Sequence, residues 1–330
     1  MYSRERRTKI VPLVLALVLA ACGKGESINA VAVSQTQKPT PTTSLPADVI
    51  ATNAFYYYAD VEAAWDFYSK TLGLETVVDY GFAKILRLAD TSYLTLVQAD
   101  EGMHSVEEAK TVTLNIVTDT LTPWYEYLGM NNVPLHSEID SSNQVQANSF
   151  VAVDPEGYFL KFIRYNPHPN HDSYTDAFAP LIPVISVAAA SLNLNLSIRA
   201  TVFSAYFDEG ADVVGFYESL FALQPVGQLD GQPLYQLAGS GFLSLVHGGD
   251  ELHKPTTENG VTFSFLTTDV DAWFERATSW PGFELRTPEV LDEGGLVRVF
   301  VGYDPTGIFL EWDTFLDLEE NALLMRHLSE

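Results

Sequence analysis

With 330 residues, 47% of them hydrophobic and 12% aromatic, the chain is long enough for two ordinary domains and too apolar for disorder to be its main state. Lys and Arg number 18 against 43 Asp and Glu, a formal charge of -25 at pH 7. Such a surface repels nucleic acid and anionic headgroups, so no nucleic-acid partner is expected, and a single cysteine, Cys22, excludes a disulfide within the chain and a cysteine metal site.

The chain opens with Arg4, Arg6, Arg7 and Lys9, followed by an apolar run from Ile10 to Ala21. That run is too short to span a bilayer and has the charge order of an export signal. It ends in Leu19-Ala20-Ala21-Cys22-Gly23, which resembles a lipobox. Residues 1–21 are therefore read as a lipoprotein signal peptide, with Cys22 as the lipidated residue. Gly23 in place of an aspartate resembles lipoproteins sorted to the outer membrane, so the expected location is the bacterial envelope, lipid-anchored and facing the periplasm. Residues 22–50, with Gln37-Lys38-Pro39-Thr40-Pro41-Thr42-Thr43, read as a disordered tether.

From there the chain says nearly the same thing twice. Phe67-Tyr68 returns as Phe216-Tyr217, and Tyr93-Leu94-Thr95-Leu96-Val97 as Phe242-Leu243-Ser244-Leu245-Val246. Trp124-Tyr125 returns as Trp273-Phe274, and Asp154-Pro155-Glu156-Gly157 as Asp304-Pro305-Thr306-Gly307. A duplication of this length predicts two similar domains, 51–165 and 196–316, with a linker over 166–195 and a C-terminal tail over 317–330. Each copy holds a half-repeat: a strand, an amphipathic helix, then short strands. Val61, Ala64, Trp65, Tyr68 and Leu72 fall on one helical face, with Asp60 as N-cap and Gly73 just past the end. Val213, Tyr217, Leu220 and Phe221 repeat that face. Shorter helices are expected around Leu121, Trp124, Tyr125 and Leu128, and around Val270, Trp273, Phe274 and Ala277. The Asp-Pro-x-Gly segments predict tight turns opening the final strands, Tyr158–Tyr165 and Ile308–Phe315. In the linker, the apolar stretch Leu181 to Leu192 reads as an extra strand or helix. The tail segment Glu319 to Met325 reads as a terminal helix.

The result is an α+β chain of four tandem β-α-β-β-β modules, and this pattern resembles the vicinal oxygen chelate superfamily (glyoxalase, bleomycin resistance protein, extradiol dioxygenase) over roughly residues 51–165 and 196–316. The resemblance implies two glyoxalase-like domains whose sheets curl into cups that hold the ligand. The order of the modules leaves open whether they pair within or across the halves. Metal-dependent members carry four ligands that leave room for two neighbouring substrate oxygens. Carried over, those positions fall at Asn53, Thr95, about Val112 and Lys161 in the first half, and at about Val202, Ser244, Val261 and Glu311 in the second. Metal sites of this kind take His nitrogen or carboxylate oxygen, so a cup without a metal is expected. No cofactor is called for, and a divalent metal belongs only to the alternative reading.

The candidate ligand-binding residues are Asn53, Tyr57, Thr95, Lys161 and Ser244, for a small-molecule partner. Alternation puts Asn53, Phe55 and Tyr57 on one strand face, with Thr95 and Lys161 expected to converge on it. Lys161 would anchor an anion. Glu311, expected beside Ser244, is the candidate catalytic residue, a general base if burial raises its pKa. His104 and His253 recur after the fourth strands and read as turn histidines. His168, His171 and Asp172 read as solvated linker. The functional expectation is a small-molecule binder, and the alternative is a glyoxalase-, dioxygenase- or isomerase-type enzyme with a non-standard metal site around Glu311.

Overall fold

The computed structural model describes residues 48–139, 147–166, 176–187, 195–208, 212–229, 232–257 and 259–329. The signal segment, Cys22, nearly all of the tether and the His168–His171–Asp172 cluster lie outside the described residues.

The strands of the first half are β1 (Val49–Tyr58), β2 (Glu75–Asp79), β3 (Ala83–Ala89), β4 (Ser92–Gln98), β5 (Val112–Val117), β6 (Leu135–Ser137), β7 (Ala147–Val153) and β8 (Phe159–Tyr165). After the short pair β9 (Val184–Ile185) and β10 (Ser197–Ile198), the second half supplies β11 (Ala200–Phe207), β12 (Gly227–Leu229), β13 (Gln232–Gln236), β14 (Gly241–His247) and β15 (Val261–Thr267). It ends with β16 (Glu284–Leu285), β17 (Leu291–Glu293), β18 (Val297–Tyr303) and β19 (Phe309–Phe315). The helices are α1 (Val61–Asp66), α2 (Leu121–Met130), α3 (Val213–Leu220), α4 (Val270–Ser279) and α5 (Ala322–Leu328).

Local chemistry sets the helix ends. Asp60, Asp212 and Asp269 accept the N–H of Ala63, Gly215 and Ala272, which satisfies amides that a first turn leaves free. Helix α1 runs on as a wider turn to Thr71, where Leu72 N–H reaches Phe67 O at 3.0 Å, and Gly73 follows at φ 67°. The buried faces follow the predicted spacing in the main, but Trp65, Tyr125 and Phe274 are only partly covered, and α2 buries Tyr127 instead of Tyr125. Gly157 and Gly307 close the two Asp-Pro-x-Gly turns at φ 96° and 89°, a backbone region where glycine carries no Cβ penalty. The turn carboxylates point inward. Asp154 accepts from Tyr58 at 2.7 Å and Tyr68 at 2.9 Å, and burial pushes its pKa up to about 6. Asp304 accepts from Tyr217 at 3.1 Å.

Module pairing is across the halves. One sheet runs β16-β18-β19-β15-β1-β4-β3-β2, with β17 beside β18, and joins the first module to the fourth. The other runs β12-β13-β14-β11-β5-β8-β7-β6 and joins the second to the third. The seams are antiparallel, with Asn53 opposite Ser264 in one and Asn115 opposite Val202 in the other. The halves are thus units of duplication, whereas each cup is shared between them. The main core fills the side of both sheets away from the cups and takes Tyr56, Leu96, Trp124, Phe162, Trp273 and Trp312. Tyr158 ties the sheets together, donating to Gly260 O at 2.7 Å and accepting from Tyr57 N–H at 3.0 Å.

The two sheets also meet where Thr52 lies against Gly241. A Cβ at Gly241 would fall 2.0 Å from Thr52 Oγ1. Gly241→Ala should therefore destabilise the protein by about 2 kcal/mol, as an overpacked core does. Chemical denaturation checks this, and Thr52→Ala in the same chain should return part of the loss.

Among the described residues no helix is long and apolar enough to cross a membrane. The tail does form a terminal helix, α5. It packs Leu324 against Val77, Ile85, Tyr93 and Leu266, on the cup side of the first sheet. The linker behaves similarly in the other cup, where Phe178 stacks on Tyr165 at 5.2 Å and leans on Phe242 at 4.8 Å. Of the apolar stretch Leu181–Leu192, Val184–Ile185 is a short strand, and residues 188–192 lie outside the described residues.

Candidate functional site

Cross-pairing redistributes the candidate residues between two cups. Asn53, Tyr57 and Thr95 share the first cup with Glu311, because β1 lies between β4 and β15, and β15 pairs with β19. Lys161 lies on the other sheet with Ser244. The expected convergence of Thr95 with Lys161, and of Ser244 with Glu311, is therefore corrected: each pair is split by the seam. The third ligand positions also move. Val112 and Val261 point into the main core, and the cup-facing residues of their strands are Thr113 and Asn115, and Thr262 and Ser264.

In the first cup, Asn53 Nδ2 donates to Thr95 Oγ1 at 2.8 Å, and Ser264 Oγ donates to Asp313 Oδ2 at 2.5 Å. Tyr57 OH lies 2.8 Å from Thr262 Oγ1. Glu311 and Asp313 are two apart on β19 and share the cup face, both buried. Burial, then the neighbouring Asp313 and Glu293 carboxylates, hold Glu311 well above the usual carboxylate range. Burial pushes Asp313 up to about 7, against the Ser264 hydrogen bond that pulls it down. Both shifts favour the protonated form of the pair. Over one side of this cup lies His104, whose Nδ1 is 2.6 Å from Glu108 Oε2, with its ring edge-on to Phe309 at 4.5 Å and Tyr57 at 4.9 Å. Arg286 lies over Phe309 at 5.0 Å and donates to Tyr303 OH at 2.7 Å.

The second cup repeats this frame with other chemistry. Tyr206 OH lies 2.8 Å from Thr113 Oγ1, and His253 packs on Tyr206 and Phe159, each at 5.0 Å. His136 takes the place of Arg286, at 4.6 Å from Phe159. On the floor, Asn115 Nδ2 donates to Ser204 Oγ at 2.9 Å, beside Lys161 in register. Lys161 is half-buried and makes no hydrogen bond or ion pair with the described residues. His104 and His253 are thus not simple turn residues; both rings form cup wall.

The duplication carried a readable signal for the residues that were missed. Arg286 and His136, Ser264 and Asn115, and Asp313 and Ile163 occupy matching places in the two copies. Asp313 also lies two residues from Glu311, the strand period that puts both on one face. A surface groove of about 300 Å³ beside Asp212, Phe216, Trp280 and Pro305 lies outside both cups. Its polar groups are engaged, Asp212 with Gly215 N–H and Trp280 Nε1 with Ser219 Oγ.

No protein-family model matches the chain, and no curated protein is similar to it in sequence. Solved structures share its fold. Glyoxalase I from Zea mays is 12% identical with a TM-score of 0.54, over 84% of this chain and 94% of that one. A Bacillus subtilis protein with a provisional dioxygenase assignment is 13% identical with a TM-score of 0.55, over 82% and 86%. These likenesses, with the two mixed sheets, define the class: the chain has the fold of the vicinal oxygen chelate superfamily. Here the fold is built from four modules, with each sheet shared between the halves.

The metal of that fold's metal-dependent members does not fit the residues present. In the first cup the matching donors are Asn53, Thr95, Ser264 and Glu311; the first two bond to each other, Ser264 bonds to Asp313, and Glu311 is the one carboxylate among the four. In the second cup a lysine occupies the position of the final carboxylate. Among the described residues no group of three or more His, Cys, Asp or Glu side chains is placed to hold a metal ion.

Proposed function

We propose that the protein is a lipid-anchored envelope protein that binds a small anionic molecule without a metal, in the second cup. The observation that carries this reading is Lys161, a half-buried ammonium group with no acidic partner among the described residues, in a chain of charge -25. A strongly acidic protein has carboxylates in excess, so a cation left unpaired among hydroxyl and amide groups suits an incoming anion. Asn115, Ser204 and Ser244 line the floor beside it, and Phe159 and Tyr206 supply an aromatic wall for the rest of the molecule. The anchor rests on the lipobox at Cys22, and the periplasmic face of the outer membrane on Gly23. Of the other candidate ligand residues, Asn53, Tyr57 and Thr95 belong to the first cup and Ser244 to this one. Glu311 enters as a proton-holding group of the first cup rather than as a metal ligand.

Thermal shift of the full-length protein against benzoate and phenyl phosphate tests the proposal. Saturable stabilisation by several degrees is expected, and its loss in Lys161→Ala. Elemental analysis after dialysis with Zn, Ni, Mn and Fe should find no stoichiometric metal. A stoichiometric metal lost in Glu311→Ala would overturn the reading in favour of the metalloenzyme.

A further inference from the structure

We propose that the first cup holds a second, separate site for a small 2-hydroxy acid, its carboxylate on Arg286 and its hydroxyl on His104. The starting point is a pair of buried nitrogens with no partner. His104 is 5% exposed, and its Nε2 bonds to nothing; Arg286 Nε is likewise buried and unpartnered. Nearly all buried polar atoms in folded proteins are paired, so two orphans at one place require an explanation. They are at one place: both side chains pack on the Phe309 ring, His104 at 4.5 Å and Arg286 at 5.0 Å. The guanidinium also reaches no carboxylate among the described residues; it donates to Tyr303 OH.

The two orphans have opposite needs. Arg286 Nε carries a hydrogen and needs an acceptor. Glu108 accepts at 2.6 Å from His104, which places the ring hydrogen on Nδ1 and leaves Nε2 a lone pair that needs a donor. Burial, with the Arg286 charge adding to it, keeps this imidazole neutral against the pull of Glu108. A plain carboxylate satisfies Arg286 and leaves His104 unmet. An amine does the reverse and meets a like charge. A carboxylate beside a hydroxyl satisfies both, which defines the chemical class.

Tyr57, Tyr303 and Phe309, with Met103 packed above, give the remainder of the molecule an aromatic and apolar wall. The second cup keeps the orphan Nε2, on His253, but puts His136 where Arg286 stands. The carboxylate partner is therefore particular to the first cup.

Mandelate and phenylacetate differ only by the hydroxyl and serve as probes on the full-length protein labelled with ¹⁵N-histidine. Mandelate should shift the His104 Nε2 resonance, assigned through His104→Gln, and bind roughly tenfold or more tighter than phenylacetate, as a site built to pair a hydroxyl requires. Arg286→Met should abolish the His104 shift, and Lys161→Met should leave it intact. Equal binding of the two probes, or no His104 shift at millimolar mandelate, would overturn the proposal without recourse to any variant. Loss of binding in Lys161→Met with retention in Arg286→Met would move the ligand to the second cup and overturn it as well.

Discussion

At pH 8 the double variant Glu311→Gln/Asp313→Asn should be more stable than the parent, by a few kcal/mol, on the order of 5–10 °C in melting temperature. In the parent, burial raises the pKa of both carboxyls at the floor of the first cup. A carboxyl whose folded pKa lies above its unfolded value contributes stability that is fully present below the ordinary carboxylate range, near pH 4. That contribution is lost as pH rises through the folded value, which for Asp313 is about 7. Gln and Asn keep the shape and need no proton, so the variant escapes the loss. Other groups act in the same window. Asp154, raised to about 6, loses stability in the same direction with rising pH. His104 and His253, lowered by burial, act oppositely as pH falls through about 6.5. These groups are common to both proteins and cancel in the difference. Melting curves of the two from pH 5 to 8 should therefore converge at the acidic end and separate at the alkaline end. Parallel curves would mean that the pair is ionised or hydrated in the folded protein.

Removal of the C-terminal helix should have the other large effect. Leu324 is fully buried on the cup side of the first sheet, against Val77, Val78, Ile85, Tyr93 and Leu266. Asn321, also fully buried, fixes the approach to α5. Its Nδ2 donates to Leu296 O at 2.8 Å and Leu316 O at 2.9 Å, and its Oδ1 accepts from Tyr80 OH. Leu324→Ala should cost about 2–5 kcal/mol, the range for large-to-small changes in a packed core. Asn321→Ala should cost about 1–3 kcal/mol by orphaning two carbonyls and a phenol. Deleting residues 317–330 should cost more than either and uncover the apolar wall, so that 1-anilinonaphthalene-8-sulfonate fluoresces on the variant and not on the parent. An unchanged melting temperature after the deletion would show that the helix is not part of the folded cup.

Much of the local architecture was legible. The side-chain period of β1 separates Asn53, Phe55 and Tyr57 from Ala54, Tyr56 and Tyr58, and the structure puts the two sets on opposite faces. Asp60, Gly73 and the Asp-Pro-x-Gly turns mark ends that the backbone then makes. Less of the site was legible. Lys161 and Glu311 were found through the duplication, but their companions were misassigned. Asp313, Arg286 and Glu108 were missed because nothing in the chain order brings the first and fourth modules to one ring.

What the sequence determined by itself is therefore the duplication, the four modules, the helix caps and turns, and which residues of a strand share a face. All of these follow from short-range backbone geometry and periodicity. Only the tertiary structure decided which module meets which. The open edges of β1, β5, β11 and β15 are near copies, so strand pattern does not distinguish pairing within a half from pairing across. The choice rests on long-range packing, including Tyr158 on Gly260 and the tail and linker laid over the cups. That choice separated Glu311 from Ser244 and joined it to Asn53 and Thr95, and it left Lys161 without an acid to pair with among the described residues.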